Sequence, residues 1–369
     1  VLNKPFPVGS PVPKDDLVDR EEFVQNLEQR LTFGQHLMIA GPRRVGKTSL
    51  ILNILENMKA KGFYIGFIDL FSIDDIRNFS NRFLNACLEN RTGISKTIEA
   101  LQTKTKKFYG DAKISFKISD LEMGLNFSGS KEIDLDYVLD FPEQLAVKDH
   151  KNVIIVFDEF QDMLRIGGEQ IFKKLRSHFQ MHKNVLYVFL GSQEHMMNTL
   201  FSHSEQAFYR FAIPLAIPPI PENAWTEYLA RKFSGLKIQG SPALFAEIVR
   251  LSGGHPQDTM VFCSEIYFAC LEHKITILSL DLIHYAYKNA LMSLSSTYNA
   301  IIEEFGFTSV AYTVLLRIAQ EKAIYTKEHN PNEYKRAINL LLMKGVVQKA
   351  GRGEYIFAEP MFREYILQW

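Results

Sequence analysis

The run Gly41-Pro-Arg-Arg-Val-Gly-Lys-Thr48 gathers residue types that suit one kind of ligand, a polyphosphate. Wrapping such a group takes inward-pointing backbone N–H donors and backbone that can approach oxygen closely, which glycine permits; Gly41 and Gly46 stand where that is needed. Lys47 offers a point charge to the β- and γ-phosphates and Thr48 a hydroxyl to Mg²⁺, while a helix starting there aims its positive end at the phosphates. The expected contacts are Gly41, Pro42, Arg43, Arg44, Val45, Gly46, Lys47, Thr48 and Ser49, although Arg43 and Arg44 suit solvent or a partner subunit as well.

Hydrolysis asks for a second half: one carboxylate to hold Mg²⁺ through water and another to polarise the attacking water. Asp158 and Glu159 fit, because they close the apolar run Val153-Ile-Ile-Val-Phe157, a strand of the kind buried on both faces of a parallel sheet. The bland alternative is an acidic pair capping the next helix. Ser192 ends the following strand, where its hydroxyl can orient the water or sense the γ-phosphate, or else cap a helix. Arg210 is a candidate cation for the triphosphate, or an ordinary solvent-facing arginine. His255, in Gly253-Gly-His-Pro256, is accounted for by a helix start with proline near its first position.

These groups need a scaffold, and the order of elements supplies one. Pro5, Pro7, Pro11 and Pro13 predict an extended opening that runs over the surface of the domain behind it. Asp19 and Glu22 have capping-box spacing ahead of a helix carrying Phe23, Leu27 and Leu31. Then come a strand over 36–40, the glycine loop, a helix over 49–61, a strand over 63–70 and a helix with Phe79, Phe83 and Cys87 on one face, which is a βαβ rhythm. From about Arg91 to Asp134 alternation takes over, predicting an inserted antiparallel hairpin, before a helix near 137–147 returns the chain to the Asp158 strand. A strand over 185–190 comes next, and a last one over 211–217 that Pro214 confines to an edge. Pro218, Pro219 and Pro221 mark a boundary. Beyond it helical periodicity runs to about Ser293, and the tail reads helix (310–320), helix (332–344), strand (346–349), Gly351-Arg-Gly353 turn, strand (355–358), the order of a winged helix. The expected fold is α/β, with a P-loop core over 1–217, an all-α lid over 218–300 and a winged-helix domain over 301–369.

Composition narrows the remaining classes. A chain of 369 residues with 46% hydrophobic and 23% charged residues is globular, and its length fits two domains or one large domain with appendages. Lys+Arg and Asp+Glu are both 42, so no overall attraction to nucleic acid or an anionic membrane is written into the chain. Cys87, Cys263 and Cys270 match neither a zinc spacing nor a disulfide framework and read as buried thiols. No apolar run approaches the roughly 20 residues of a membrane span, and the expected location is cytoplasmic.

Taken in order, Leu17-Val-Asp-Arg-Glu21, the loop through Leu50, Val-Phe-Asp-Glu-Phe-Gln161, Leu-Gly-Ser192, Phe-Tyr-Arg210 and Gly-Gly-His-Pro256 resemble the archaeal-type ATPase family within the STAND branch of AAA+ proteins. The resemblance covers nearly the whole chain. It implies a five-stranded core of order 5-1-4-3-2, a helical lid, and a winged helix that closes over or releases ATP or ADP as a switch. It also implies that Val18, Arg20 and Pro256 lie near the adenine or its lid, that Ser192 is the sensor on the fourth strand, and that Arg210 reads the γ-phosphate. Members often carry Gly-Arg after the tyrosine, whereas here Tyr209 meets Arg210 directly.

The winged helix raises DNA as a partner. Lys335, Arg336 and Lys344 on its second helix and Lys349 and Arg352 in the wing are a modest count, partly offset by Glu328, Glu333 and Glu354. Lys104, Lys106, Lys107, Lys113 and Lys117 of the hairpin suit a docking element or a solvated strand face. Two readings remain: an ATP-driven switch whose output is binding another protein, and a DNA-associated ATPase.

Overall fold

A computed structural model describes residues 5–90, 114–116, 125–127 and 135–368. Helix α1 (Glu21–Thr32) precedes strand β1 (Leu37–Ala40), followed by α2 (Lys47–Ala60), β2 (Tyr64–Asp69) and α3 (Ile76–Leu88). A short antiparallel pair, β3 (Ile114–Phe116) and β4 (Leu125–Phe127), comes next, with Ile114 opposite Phe127. The rest of the expected hairpin, lysines included, lies outside the described residues. The core is completed by α4 (Leu135–Asp149), β5 (Val153–Asp158), α5 (Met163–Phe179), β6 (Val185–Gly191), α6 (Glu194–Ser202) and β7 (Ile213–Ala216).

Five of these strands form one parallel sheet in the order β2-β5-β6-β1-β7. Counting those five alone, this is 5-1-4-3-2 read from the opposite edge. β5 and β6 are buried along their whole length, as two-sided strands must be, and their side chains alternate between the two faces. Ile154 and Val156 pack with Leu50, Ile51 and Ile54 under α2, whereas Val153, Ile155 and Phe157 join the opposite cluster beneath α3, α4 and α5. Phe157 is the hub of that side, with the rings of Phe83, Phe179 and Phe189 stacked at 5.8–5.9 Å. Each such buried aromatic removes enough apolar surface from water to be worth ~1.5–3 kcal/mol, and together they hold the ends of β5 and β6 in fixed register. β7 is an edge strand in which Pro214 faces Met38 of β1, a place where a missing N–H is tolerated.

The remainder is mostly helical: α7 (Glu222–Gly235), α8 (Pro242–Ser252), α9 (Pro256–Glu272), α10 (Leu280–Phe305), α11 (Val310–Ala319) and α12 (Pro331–Met343), then β8 (Val347–Gly351), β9 (Glu354–Phe357) and α13 (Pro360–Gln368). α12 begins with Pro331 at its first position and a capping box between Asn330 and Glu333. The expected border at 300/301 falls inside α10, which continues to Gly306, at φ 81°. A single apolar cluster runs from Trp225 and Phe233 through Tyr298 to Phe362 and Ile366, so helices α7–α10 and the elements after them share one core.

Two local expectations are corrected. Asp19 does not cap α1: it takes a left-handed conformation (φ 52°), Arg20 becomes the cap residue, and no side-chain capping bond forms. Val18 and Arg20, on either side of it, are both buried, and reversing the chain at Asp19 is what turns both inward. The proline-rich opening is not a plain surface segment either, because Phe6 is buried against Phe233 of α7, with ring centroids 5.0 Å apart.

Candidate functional site

β1 delivers the chain to the glycine loop, whose first residue is tied down by a bond from Gly41 N to Gly191 O of β6 (3.2 Å). Gly46 stands immediately before α2 at φ 92°, where a side chain would be strained. α2 has no acidic residue in its first turn, so its free N–H groups present a positive end to the loop. Lys47 is buried, with Nζ donating to Gly41 O at 2.7 Å and Pro42 O at 2.6 Å. Burial holds its ammonium below the usual lysine range, opposed by the charges of Glu159, Asp158 and Glu194.

Facing it are the acids at the end of β5. β6 lies between β1 and β5, yet the two sequence clusters meet directly: Thr48 Oγ1 donates to Asp158 Oδ2 at 2.7 Å. Asp158 Oδ1 accepts from Glu159 N at 3.0 Å. Desolvation raises the Asp158 carboxyl above its ordinary value, the Thr48 bond counteracts this, and the charges of Glu159 and Asp69 push it further up. Glu159 itself is left-handed (φ 53°), a strained conformation at the end of a strand. Its Oε2 accepts from Ser192 Oγ (2.7 Å), Ser192 N (3.1 Å) and Gln161 Nε2 (2.5 Å). Ser192 is therefore neither a helix cap nor a direct cleft residue; it holds the glutamate.

A cleft of about 600 Å³ opens over these groups. Its lining includes Arg43, Arg44, Val45, Gly46, Lys47, Thr48, Ser49, Asp158 and Glu159, together with Val18, Arg20 and Pro256. The sequence-predicted residues thus converge, with four exceptions. Gly41 and Pro42 act through their carbonyls on Lys47, and Ser192 acts through Glu159. Arg210 is not brought to the cleft: it is exposed, left-handed (φ 53°), with its guanidinium 5.1 Å from the Tyr209 ring centroid.

Several residues around the cleft escaped the reading of the sequence. Asp69 ends β2 directly opposite Asp158 in the sheet register, and a strand closing on an acid beside another such strand was the available signal. Gln161 and Glu194, behind the cleft and not part of its lining, have no local signature, since their roles depend on Glu159 and Lys47 reaching them through the fold. The N-terminal segment from Pro7 to Val12 forms a wall of the cleft, pinned at one end by Phe6 against Phe233 of α7 and at the other by Val12 N donating to Ser49 Oγ (3.1 Å). Asp16, at its base, bonds Lys232 Nζ (2.5 Å) and Tyr228 OH (2.8 Å) of α7, tying the segment to that helix.

A glycine loop leading into a helix, a buried lysine, and a hydroxyl on that helix bonded to a carboxylate at the end of the next strand but one define a P-loop nucleotide-binding protein. Residues 17–261 match the family described as an ATPase domain predominantly from Archaea, and the chain belongs to that family; it is an ATPase. No curated protein sequence matches it. Among solved structures, a Walker-type ATPase of Pyrococcus abyssi is similar over 99% of this chain and 100% of its own, with TM-score 0.69 and 20% identity. The Aeropyrum pernix ORC2 protein, solved in ADPNP–ADP complexes, is similar over 99% of this chain and 96% of its own (TM-score 0.58, 15% identity). The Aeropyrum pernix ORC1 protein in complex with DNA is similar over 97% and 94% (TM-score 0.51, 12% identity). At these identities the likeness is one of fold.

Proposed function

We propose that this chain is a Mg²⁺-dependent ATPase working as a nucleotide-controlled conformational switch, in which bound ATP or ADP sets how the lid and C-terminal unit meet the core. One observation carries the reading: the cleft is shared, with Lys47, Thr48 and Asp158 contributed by the core and Trp225, Pro256 and Met260 by the lid. A ligand touching both bodies can favour one arrangement over another by its differential contacts, which is what a switch requires.

Thr48 and Asp158 are the residues to hold Mg²⁺. A hydroxyl and a carboxylate are the hard oxygen donors the ion prefers, and Asp158 shares its surroundings with Glu159 and Asp69, an excess of negative charge that a cation neutralises. Bound there, it supplies charge neutralisation at the β- and γ-phosphates. Lys47 steadies the same phosphates, Glu159 orients the attacking water, and Ser192 fixes the glutamate. Val18, Arg20 and Pro256 enclose the adenine. Arg210 reads the γ-phosphate only after rearrangement of its turn or from another molecule.

The tail, helix-helix-strand-strand-helix, has the form of a winged helix, and a second reading rests on its surface. Lys335, Arg336, Lys349 and Arg352 are exposed, whereas Lys344 is engaged by Glu304. Duplex DNA is the partner such a face suits; an unidentified protein is the partner of the first reading. ATP binding and hydrolysis by the native chain, Lys47→Ala and Glu159→Gln, with and without duplex DNA in low salt, test both. Lys47→Ala loses binding, and Glu159→Gln keeps ATP but stops turnover. A Glu159→Gln variant that still hydrolyses at the native rate removes the proposed catalysis, and no ATP-dependent DNA binding removes the second reading.

A further inference from the structure

The glycine loop has a second neighbour besides the cleft. Arg44, in a left-handed conformation (φ 67°) uncommon for any residue but glycine, directs Nη1 at both oxygens of Glu359, at 3.1 and 3.3 Å. Glu359 immediately precedes α13, and the next two residues are also held: a Cβ at Gly253 would meet Pro360 at 2.6 Å, and Met361 N donates to Asp258 Oδ2 at 3.1 Å. Asp258 in turn lies 3.3 Å from His255 Nδ1, whose Nε2 is 3.4 Å from the carbonyl of Arg43. Both loop arginines are thus connected to α13, one by its side chain and one through the lid. The apolar cluster of the lid and C-terminal unit does not merge with either cluster of the sheet, and a cavity of about 640 Å³ lies beside the ion pair, bordered by Arg43, Arg44, Gln193, Lys344 and Glu359. The C-terminal unit therefore meets the loop through polar contacts that can exchange partners without opening a packed core.

We propose that Glu359 is an internal competitor for a γ-phosphate at Arg44: with ADP bound its carboxylate latches α13 and the C-terminal unit onto the loop and slows the nucleotide's exit, and a nucleotide whose γ-phosphate draws Arg44 away releases the latch. This rests on the switch reading and adds the residue through which the cleft reports its contents. Arg44 borders both the cleft and the second cavity, so a modest reorientation of one side chain moves its charge between the two anions. Partly exposed ion pairs are weak, which lets a phosphate bearing more charge than a carboxylate win the exchange.

Stopped-flow release of a methylanthraniloyl-ADP probe from the full chain, with small-angle X-ray scattering of the ADP and ADPNP complexes, tests the latch. Glu359→Gln should release the probe about fivefold faster, the scale of one exposed ion pair, and its ADP complex should scatter like the native ADPNP complex. Glu359→Asp, which keeps the charge, should stay closer to native, and Arg363→Gln on the same helix should behave as native. Unchanged release in Glu359→Gln, or equal acceleration in the Gln and Asp variants, overturns the proposal. If Glu359→Gln does not fold, the native chain decides: raising salt should speed release as the pair is screened, and release indifferent to salt counts against the latch. Failure of the native chain to bind the probe at all would sink the nucleotide reading instead, so the two failures are distinct.

Discussion

The two ends of the parallel sheet both carry buried or half-buried ionisable groups, and they differ in how those groups are satisfied. Where the strands begin, His178 donates to Asp140 (2.6 Å) and Asp136 (2.8 Å), Lys174 pairs with Asp136 (3.0 Å), and His182 Nδ1 bonds Tyr187 OH (2.6 Å). Glu143 accepts the backbone N–H groups of Lys183 (3.1 Å) and Asn184 (2.9 Å) and the Asn184 amide (2.8 Å). Acids there meet cations and donors from the protein itself. Where the strands end, Lys47 is bonded to carbonyls and not to a carboxylate, Asp158 is desolvated beside two other acids, and Glu159 is strained. Charges that the protein leaves without matched counter-charges mark the end that works on a ligand, and matched ones mark the end that works on the fold.

The largest effect expected from this contrast is catalytic. Ser192→Ala removes the hydroxyl bond to Glu159 while keeping the backbone donor. A hydrogen bond to a charged group is worth ~1.5–3 kcal/mol, so ATP hydrolysis should fall about 10- to 100-fold. Nucleotide affinity should be unchanged, since Ser192 does not line the cleft. Single-turnover hydrolysis beside equilibrium nucleotide titration separates the two. Native turnover in Ser192→Ala would mean that Glu159 needs no orientation.

The opposite end should respond the other way. Glu143→Ala strips three acceptor contacts from the turn entering β6, and chemical denaturation should show a loss of about 1–3 kcal/mol. Hydrolysis per folded molecule should not change. A variant equally stable but catalytically impaired would erase the distinction between the two ends.

Much of this contrast is legible in the chain itself. Val153-Ile-Ile-Val-Phe157 reads as a two-sided strand because no polar residue interrupts it, and that fixes Asp158 and Glu159 at its exit; the loop before α2 is equally explicit. Groups whose role comes from distant partners are not legible. Nothing near Ser192 says that its hydroxyl turns toward Glu159, as its capping and sensing roles share one local pattern. Prolines 5, 7, 11 and 13 dictate an extended chain but not that Phe6 finds Phe233 and draws the segment across the cleft. The spacing from Asp19 to Glu22 satisfies a capping box locally, and burial of Val18 and Arg20 overrides it. Arg210 is singled out by its place between the fourth and fifth strands and by the family resemblance, and neither says which way an exposed turn faces.

The smallest effect sharpens the contrast through pH. His36, just before β1, stacks on Phe211 (4.5 Å) and accepts the N–H of Tyr187 at Nδ1 (3.1 Å), so the fold holds it neutral. Burial first, then the charges of Arg176 and His182, lower its pKa from 6.5 to about 4. Between those two values the unfolded chain takes up a proton that the folded chain refuses, so its contribution to stability is present above pH 6.5 and is lost as pH falls toward 4. His178 works in the opposite sense: burial pulls it down, but the bonds to Asp140 and Asp136 carry it above the ordinary value, so its contribution is full in acid and lost as pH rises through the raised pKa. His36→Asn retains an acceptor for Tyr187 without a titrating ring. It should cost ~0.5–1.5 kcal/mol at neutral pH through the lost stacking, yet its urea midpoint should fall less steeply than the native one as pH drops from 6.5 toward 4. Parallel curves for the two proteins would mean that His36 is protonated as readily in the fold as out of it, and that the strand-entry end, like the exit, carries a charge the protein does not match.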